Sequence, residues 1–182
     1  MILKKRLFFA DYMKTIAGLF LTLNFFACVS IPKCAVAVKP FDKDKYLGTW
    51  YEIARFDFTF ERGLSHVTAN YSLKSPGIIR VDNKGYQDAK SRWKESIGKA
   101  RFVGSEDVGR LKVSFFGPFY AGYNVIALDN QYRYALIAGD NLNYLWILSR
   151  EKTIPETVKN EYLQKAKSLG YDIDRLIWTK QD

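Results

Sequence analysis

Gly48-Thr49-Trp50-Tyr51-Glu52-Ile53-Ala54-Arg55-Phe56 decides the fold. The run is rich in aromatic and β-branched residues and reads as the first of a series of strands, extending to Phe58. Outward from it, strand-like segments recur at Val67–Leu73, Ile78–Tyr86, Trp93–Val103, Leu111–Phe116, Tyr123–Asp129, Tyr132–Ala138 and Tyr144–Ser149. Ser75-Pro76-Gly77, Asn83-Lys84-Gly85, Asp129-Asn130 and Gly139-Asp140-Asn141 supply turn chemistry. Short apolar segments at such regular spacing mark an antiparallel barrel or sandwich. The total of about eight strands is the number at which a closed barrel holds one small ligand.

One helix interrupts the pattern. Thr153-Ile154-Pro155-Glu156 combines a capping Thr, an early Pro and a Glu three residues on, and Val158, Tyr162, Ala166 and Leu169 then share one face until Gly170 stops the helix. That face is expected to pack on the barrel wall. A last strand, Ile173–Thr179, is expected to cover an open edge.

Ahead of the strands, Lys14 leads an apolar stretch from Thr15 to Ala27 that has the layout of a secretory signal and is short for a membrane span. Residues 1–12 add a second basic cluster, so either Met1 or Met13 can serve as the start. Cys28 follows Ala27 directly, in Phe25-Phe26-Ala27-Cys28, an arrangement similar to a bacterial lipoprotein box whose cysteine is lipidated after cleavage. The expected organisation is a signal peptide over residues 1–27, a flexible tether over 28–40 and one barrel domain over 41–182. The rival cut, after Ala35-Val36-Ala37, releases a soluble periplasmic protein instead.

The inventory excludes much chemistry. Cys28 and Cys34 both precede the barrel, so no disulfide framework or zinc site arises from them, and no cysteine nucleophile lies in the barrel. His66 is the sole histidine, which removes Ser-His-Asp and multi-histidine metal sites and leaves only a single-histidine haem ligand open. Of the net charge of +9, Lys4, Lys5, Arg6 and Lys14 belong to the leader, and the other basic residues are scattered without a run. A groove for nucleic acid is not indicated.

Three motifs in order add a resemblance. Gly48-Thr49-Trp50, Gly122-Tyr123-Asn124-Val125-Ile126-Ala127-Leu128-Asp129 and Trp146-Ile147-Leu148-Ser149-Arg150 resemble the three signature blocks of the lipocalins. Tyr46–Arg55, Ala69–Leu73 and Phe115–Phe119 are similar to the bacterial outer-membrane branch and its apolipoprotein D-like relatives. The resemblance spans Phe41 to Trp178 and implies an all-β, eight-stranded, up-and-down barrel with one C-terminal α-helix and a final short strand. It implies that Trp50 and Arg150, with Gly48, stack at the closed end as structural residues, which suits an indole face against a guanidinium.

The resemblance also implies cavity-facing roles for Tyr71, Asn83, Phe115 and Trp146, with Phe56, Trp93 and Tyr123 as further candidates. On the fourth strand, alternation allows either Trp93, Glu95, Ile97, Lys99 and Arg101 or Ser96, Gly98, Ala100 and Phe102 to face inward. The small set is favoured because it leaves space, which argues against Trp93.

The function so implied is the binding, storage or transport of fatty acids or lysophospholipids at the bacterial outer membrane, with the chain held there by a lipid anchor and with no catalysis and no cofactor. Burying ten methylenes is worth ~8 kcal/mol before entropic costs, enough for micromolar affinity. Tyr71 and Asn83 are placed to orient a polar head. A haem or pigment carrier and a lipocalin-type enzyme are the alternatives, the latter with Glu52 as the one motif-linked carboxylate available to the cavity. Homodimerisation, the physiological ligand and the leader site used are left open.

Overall fold

A computed structural model describes residues 31–182. The eight expected strands are present as β1 (Gly48–Phe56), β2 (Leu64–Ser75), β3 (Ile78–Gln87), β4 (Arg92–Phe102), β5 (Arg110–Ser114), β6 (Ala121–Leu128), β7 (Tyr134–Ala138) and β8 (Leu145–Ser149). Each pairs antiparallel with its neighbour in sequence, and β1 pairs with β8 on one side and β2 on the other, which closes the barrel. Closure removes the strand edges that a flat sheet would leave open.

Two layers of core follow. Inside the barrel, Tyr46, Trp50, Tyr71, Ile79, Val81, Leu111, Val125 and Leu148 pack together. Outside it, Ile126, Tyr134, Leu136, Ala138 and Ile147 meet the helix α2 (Glu156–Ser168). Covered on both faces, β7 is buried at every position instead of alternating. Tyr162 and Ala166 of α2 are buried, Val158 and Leu169 pack beside them, and Tyr162 Oη donates to Tyr134 O at 2.9 Å. Gly170, at φ 91°, ends the helix in a conformation that favours glycine.

The capping-box expectation is corrected. Pro155 is the N-cap and makes no side-chain cap, while Thr153 serves through its carbonyl, which accepts from Ser149 Oγ at 2.8 Å. The final strand is shorter than expected: a 3₁₀ turn over Ile173–Arg175 precedes β9 (Leu176–Trp178). β9 bonds to Ala54–Phe56, where β1 has parted from β2.

A one-turn helix, α1 (Lys43–Tyr46), leads into β1. Asp42 caps it by accepting from the amides of Asp44 and Lys45. Ahead of it the chain already touches the barrel: Ala35 is buried, and Val38 bonds through its backbone to Val125 and Gly109.

Candidate functional site: a polar-ended cavity in the barrel

The closed end is built around one arginine. Arg150 Nε donates to Tyr132 O at 3.2 Å, Nη1 to Thr49 O at 2.8 Å, and Nη2 to the carbonyls of Lys45, Tyr46 and Leu47 at 2.9, 3.1 and 2.8 Å. Its guanidinium lies 4.0 Å from the centre of the Trp50 ring, and Trp50 Nε1 donates to Tyr46 O at 2.9 Å. Burial pulls the Arg150 pKa down, opposed by the nearby tyrosines. The left-handed Gly48 (φ 93°) brings its backbone against this guanidinium, with only 3.3 Å between Nη1 and the position a Cβ would take. One side chain thus ties α1, β1 and the turn before β7 together beneath the cavity.

Above this plug lies a cavity of about 720 Å³. Its floor is a chain of three hydroxyls: Tyr71 Oη donates to Tyr123 Oη at 2.8 Å, and Tyr123 Oη shares a 2.7 Å hydrogen bond with Tyr46 Oη. Burial raises the pKa of all three phenols, so they remain neutral hydrogen-bonding groups. Val67, Ile79, Val81, Leu111, Val113 and Leu148 form apolar walls. Asn83 and Ser114 also line the space, and Asn83 Oδ1 and Ser114 Oγ have no hydrogen-bond partner among the described residues. Buried polar atoms of this kind are sites where a ligand's own polar groups gain most.

The mouth is framed by the loops that follow β1, β5 and β7. Here Phe58, Tyr144 and Trp146 form an aromatic group, with Phe58 to Trp146 at 5.4 Å edge-to-face and Tyr144 stacked on Trp146 at 6.2 Å. Glu61, in the β1–β2 loop, accepts from Trp146 Nε1 at 3.3 Å and lines the cavity together with Glu52. Arg55 is almost wholly buried. Its Nη1 donates to Glu52 Oε1 at 2.8 Å, its Nη2 donates to Glu61 O at 2.7 Å, and its Nε lies 3.9 Å from Glu61 Oε2. Thr179 Oγ1 also donates to Glu52 Oε1, at 2.6 Å. Burial first, and then the charge of Glu52, push the Glu61 carboxyl well above the ordinary range.

Of the residues expected in the cavity, Tyr71, Asn83, Phe115, Trp146 and Tyr123 all line it. Phe56 does not, and the reason is a β-bulge. The register of β1 against β8 shifts between Glu52 and Ala54, so the inward phase passes from Glu52 to Arg55 and Phe56 turns outward. Phe56 is fully buried there against Tyr171, with Arg175 4.9 Å from its ring. On β4 the small face is the inner one: Ser96 and Ala100 line the cavity, while Trp93 and Ile97 are 52% and 58% exposed. Gly98 leaves less room than its size implies, because a Cβ there would come within 2.8 Å of Phe115 Cδ1 and Ser114 O.

His66 is not among the cavity residues. Its ring bonds to Ser65 Oγ and Asp182 O and sits edge-on to Tyr86 and Trp93, so the haem reading loses its candidate ligand. Cys28 lies outside the described residues. Sequence reasoning did not single out Tyr46, Arg55 or Glu61. Tyr46 precedes the strand pattern, Arg55 meets Glu52 and the Glu61 loop only through the bulge, and Glu61 sits in a loop where alternation carries no information.

A closed eight-stranded barrel with a plugged end, a flanking helix and an apolar cavity with polar ends defines a binding protein for a small hydrophobic ligand. The chain belongs to the lipocalin family: the lipocalin-like domain model matches residues 41–181. It is 55% identical over 150 residues to the outer membrane lipoprotein Blc of Citrobacter freundii, covering 82% of this chain and 85% of that one. It is 32% identical over 184 residues to mouse apolipoprotein D, covering 93% of each. Among solved structures, insecticyanin from the tobacco hornworm shares the fold, with a TM-score of 0.67 at 19% identity over 83% of this chain and 86% of that one.

Proposed function

We propose that this lipocalin binds single-chain lipids, fatty acids or lysophospholipids, in its barrel and stores or carries them at the bacterial outer membrane, without chemistry on the ligand. The observation that carries the reading is the cavity itself. Its volume of about 720 Å³ falls within the range of small-molecule sites, its walls are aliphatic, and its polar groups stand at the two ends, where a long apolar chain with a polar head is best accommodated. Each methylene moved from water to such walls stabilises the complex by about 0.8 kcal/mol. The relatives named outer membrane lipoprotein support the location, and Cys28 is the residue that would carry the anchor. Durable attachment needs more than one acyl chain, which a bacterial lipoprotein cysteine provides. A barrel held at the bilayer then exchanges lipid without carrying it far through water.

Displacement of a fluorescent fatty acid by unlabelled fatty acid and lysophospholipid tests the reading. Micromolar or tighter competition is expected. Binding no stronger than that of heat-denatured protein would refute it.

A further inference from the structure

The outer wall formed by β3, β4 and β5 carries a basic band. Arg80 on β3 stands directly opposite Lys99 on β4, and Arg101 on β4 directly opposite Lys112 on β5. Like charges paired across a sheet repel, so folding alone gives no reason for the arrangement. The carboxylates of this wall are already engaged, Asp82 with Arg80 at 2.7 Å and Glu95 with Lys84 at 3.1 Å. Among the described residues Lys74, Lys99, Arg101 and Lys112 have no acidic partner. Lys99 and Lys112 flank the ring of Tyr120, at 5.8 and 5.1 Å from its centre. Where β4 and β5 part beyond the Lys99–Ser114 pair, Lys74 and Lys99 line a surface groove of about 220 Å³ together with Ile97 and Phe115.

Apolar side chains border the band. Leu73 and Ile97 are more than half exposed, and Phe116 and Phe119, in the loop after β5, are 63% and 77% exposed, with Phe116 resting on Phe60 at 5.8 Å between ring centres. Free cations set among exposed rings and aliphatic chains match the surface of an anionic membrane, where cations meet phosphates and rings settle at the boundary with the acyl chains. A second copy of the chain is opposed at this wall, because it would bring the same cations face to face. The segment leading back to Cys28 joins the barrel beside it: Val38 bonds through its backbone to Gly109, directly ahead of β5, and to Val125 on β6. Cys28 lies ten residues before Val38, so the chain between them spans at most roughly 35 Å and keeps the wall within reach of a bilayer that holds Cys28.

We propose that this wall docks on an anionic phospholipid bilayer, with Lys74, Lys99, Arg101 and Lys112 on the headgroups and Phe116 and Phe119 entering the boundary with the acyl chains. The barrel then lies on its side, and the loop after β5, which frames one side of the cavity mouth, meets the lipid. The inference concerns the outside of the barrel and stands whatever the cavity holds.

Co-sedimentation of the full chain carrying Cys28→Ser, which has no acyl group there, with vesicles of phosphatidylcholine alone or of phosphatidylcholine with phosphatidylglycerol tests this at low and high salt. Binding to the glycerol-containing vesicles alone is expected, and its loss in high salt. Each cation near an anionic surface is worth about fivefold in partition, so Lys99→Gln, Arg101→Gln and Lys112→Gln together are expected to lower it roughly a hundredfold. These three do not line the cavity, so displacement of a fluorescent fatty acid should be unchanged. Lys152→Gln, Lys165→Gln and Lys167→Gln, in and just ahead of α2, remove the same charge and are expected to leave most of the binding in place. Phe116→Ser with Phe119→Ser is expected to weaken binding several-fold and to keep its salt dependence. No binding to anionic vesicles, equal binding to neutral ones, binding that persists in high salt, equal loss in the two triple variants, or undiminished binding without the two phenylalanines would overturn the proposal. The headgroup and salt comparison decides the matter even where a variant does not fold.

Discussion

Arg150→Ala removes the side chain that ties the closed end together. Five hydrogen bonds from the guanidinium and its contact with Trp50 disappear at once. Hydrogen bonds to charged groups are worth about 1.5–3 kcal/mol each, but the arginine is only partly buried and its bonds act as a unit, so the sum is heavily discounted. The freed carbonyls near the surface regain water, whereas Tyr46 O keeps its bond from Trp50 Nε1. A loss of ~2–5 kcal/mol is expected, including about 1 kcal/mol from the ring contact. For a domain of this size that corresponds to a fall in melting temperature of roughly 2–4 °C per kcal/mol. Urea melts followed by tryptophan fluorescence give the stability, and lipid titration of the folded variant gives the binding. Since Arg150 does not line the cavity, affinity is expected to stay within about threefold of wild type, under 1 kcal/mol. Full stability combined with lost binding would refute the assignment of Arg150 to structure.

Tyr123→Phe leaves two buried phenol hydroxyls, those of Tyr46 and Tyr71, without their shared partner, and a loss of ~1–3 kcal/mol in denaturant melts is expected. Glu61 gives a pH signature in stability. An acid whose folded pKa is raised stabilises the fold fully below its unfolded value, near 4.5, and that contribution is lost as pH rises from there through the raised folded pKa. Melts across this window should show wild type weakening with pH and Glu61→Gln lacking that component; parallel curves for the two proteins would contradict a raised Glu61 pKa. Cys28→Ser is expected to shift the protein from the membrane to the soluble fraction or leave it unprocessed, whereas Cys34→Ser should change nothing in fractionation. Soluble wild-type protein beginning at Val38 would show that the other leader site is used.

The barrel was legible in the sequence because short apolar-rich segments separated by turn residues are a local signal, which survives even where a strand such as β7 is covered on both faces and does not alternate. The helix was legible from Tyr162 and Ala166, whose spacing marks one face, although its cap was misread: Pro155 occupies the N-cap position, and Thr153 is engaged through its carbonyl. At the site, alternation succeeded for Ser96 and Ala100 on the regular strand β4 and failed for Phe56 on β1. A single bulged residue reverses every later side chain, and nothing in Glu52-Ile53-Ala54 announces it. The same reversal carries Arg55 inward, where it meets Glu52 and the loop bearing Glu61. That network joins a strand, a loop and the distant Thr179, and contacts of this span leave no mark on local pattern. The tyrosine floor has a similar origin, since Tyr46, Tyr71 and Tyr123 come from three separate elements.

The account rests on a lipid occupying the barrel. Its most direct test is native mass spectrometry of the protein purified from its own membrane, with lipid extraction of the same sample. One single-chain lipid per barrel is predicted, released on denaturation, and displaced when Ala100 on the inner wall is replaced by Trp while the fold survives. Protein that emerges folded and free of lipid, or lipid retained undiminished by the Ala100→Trp barrel, would contradict it.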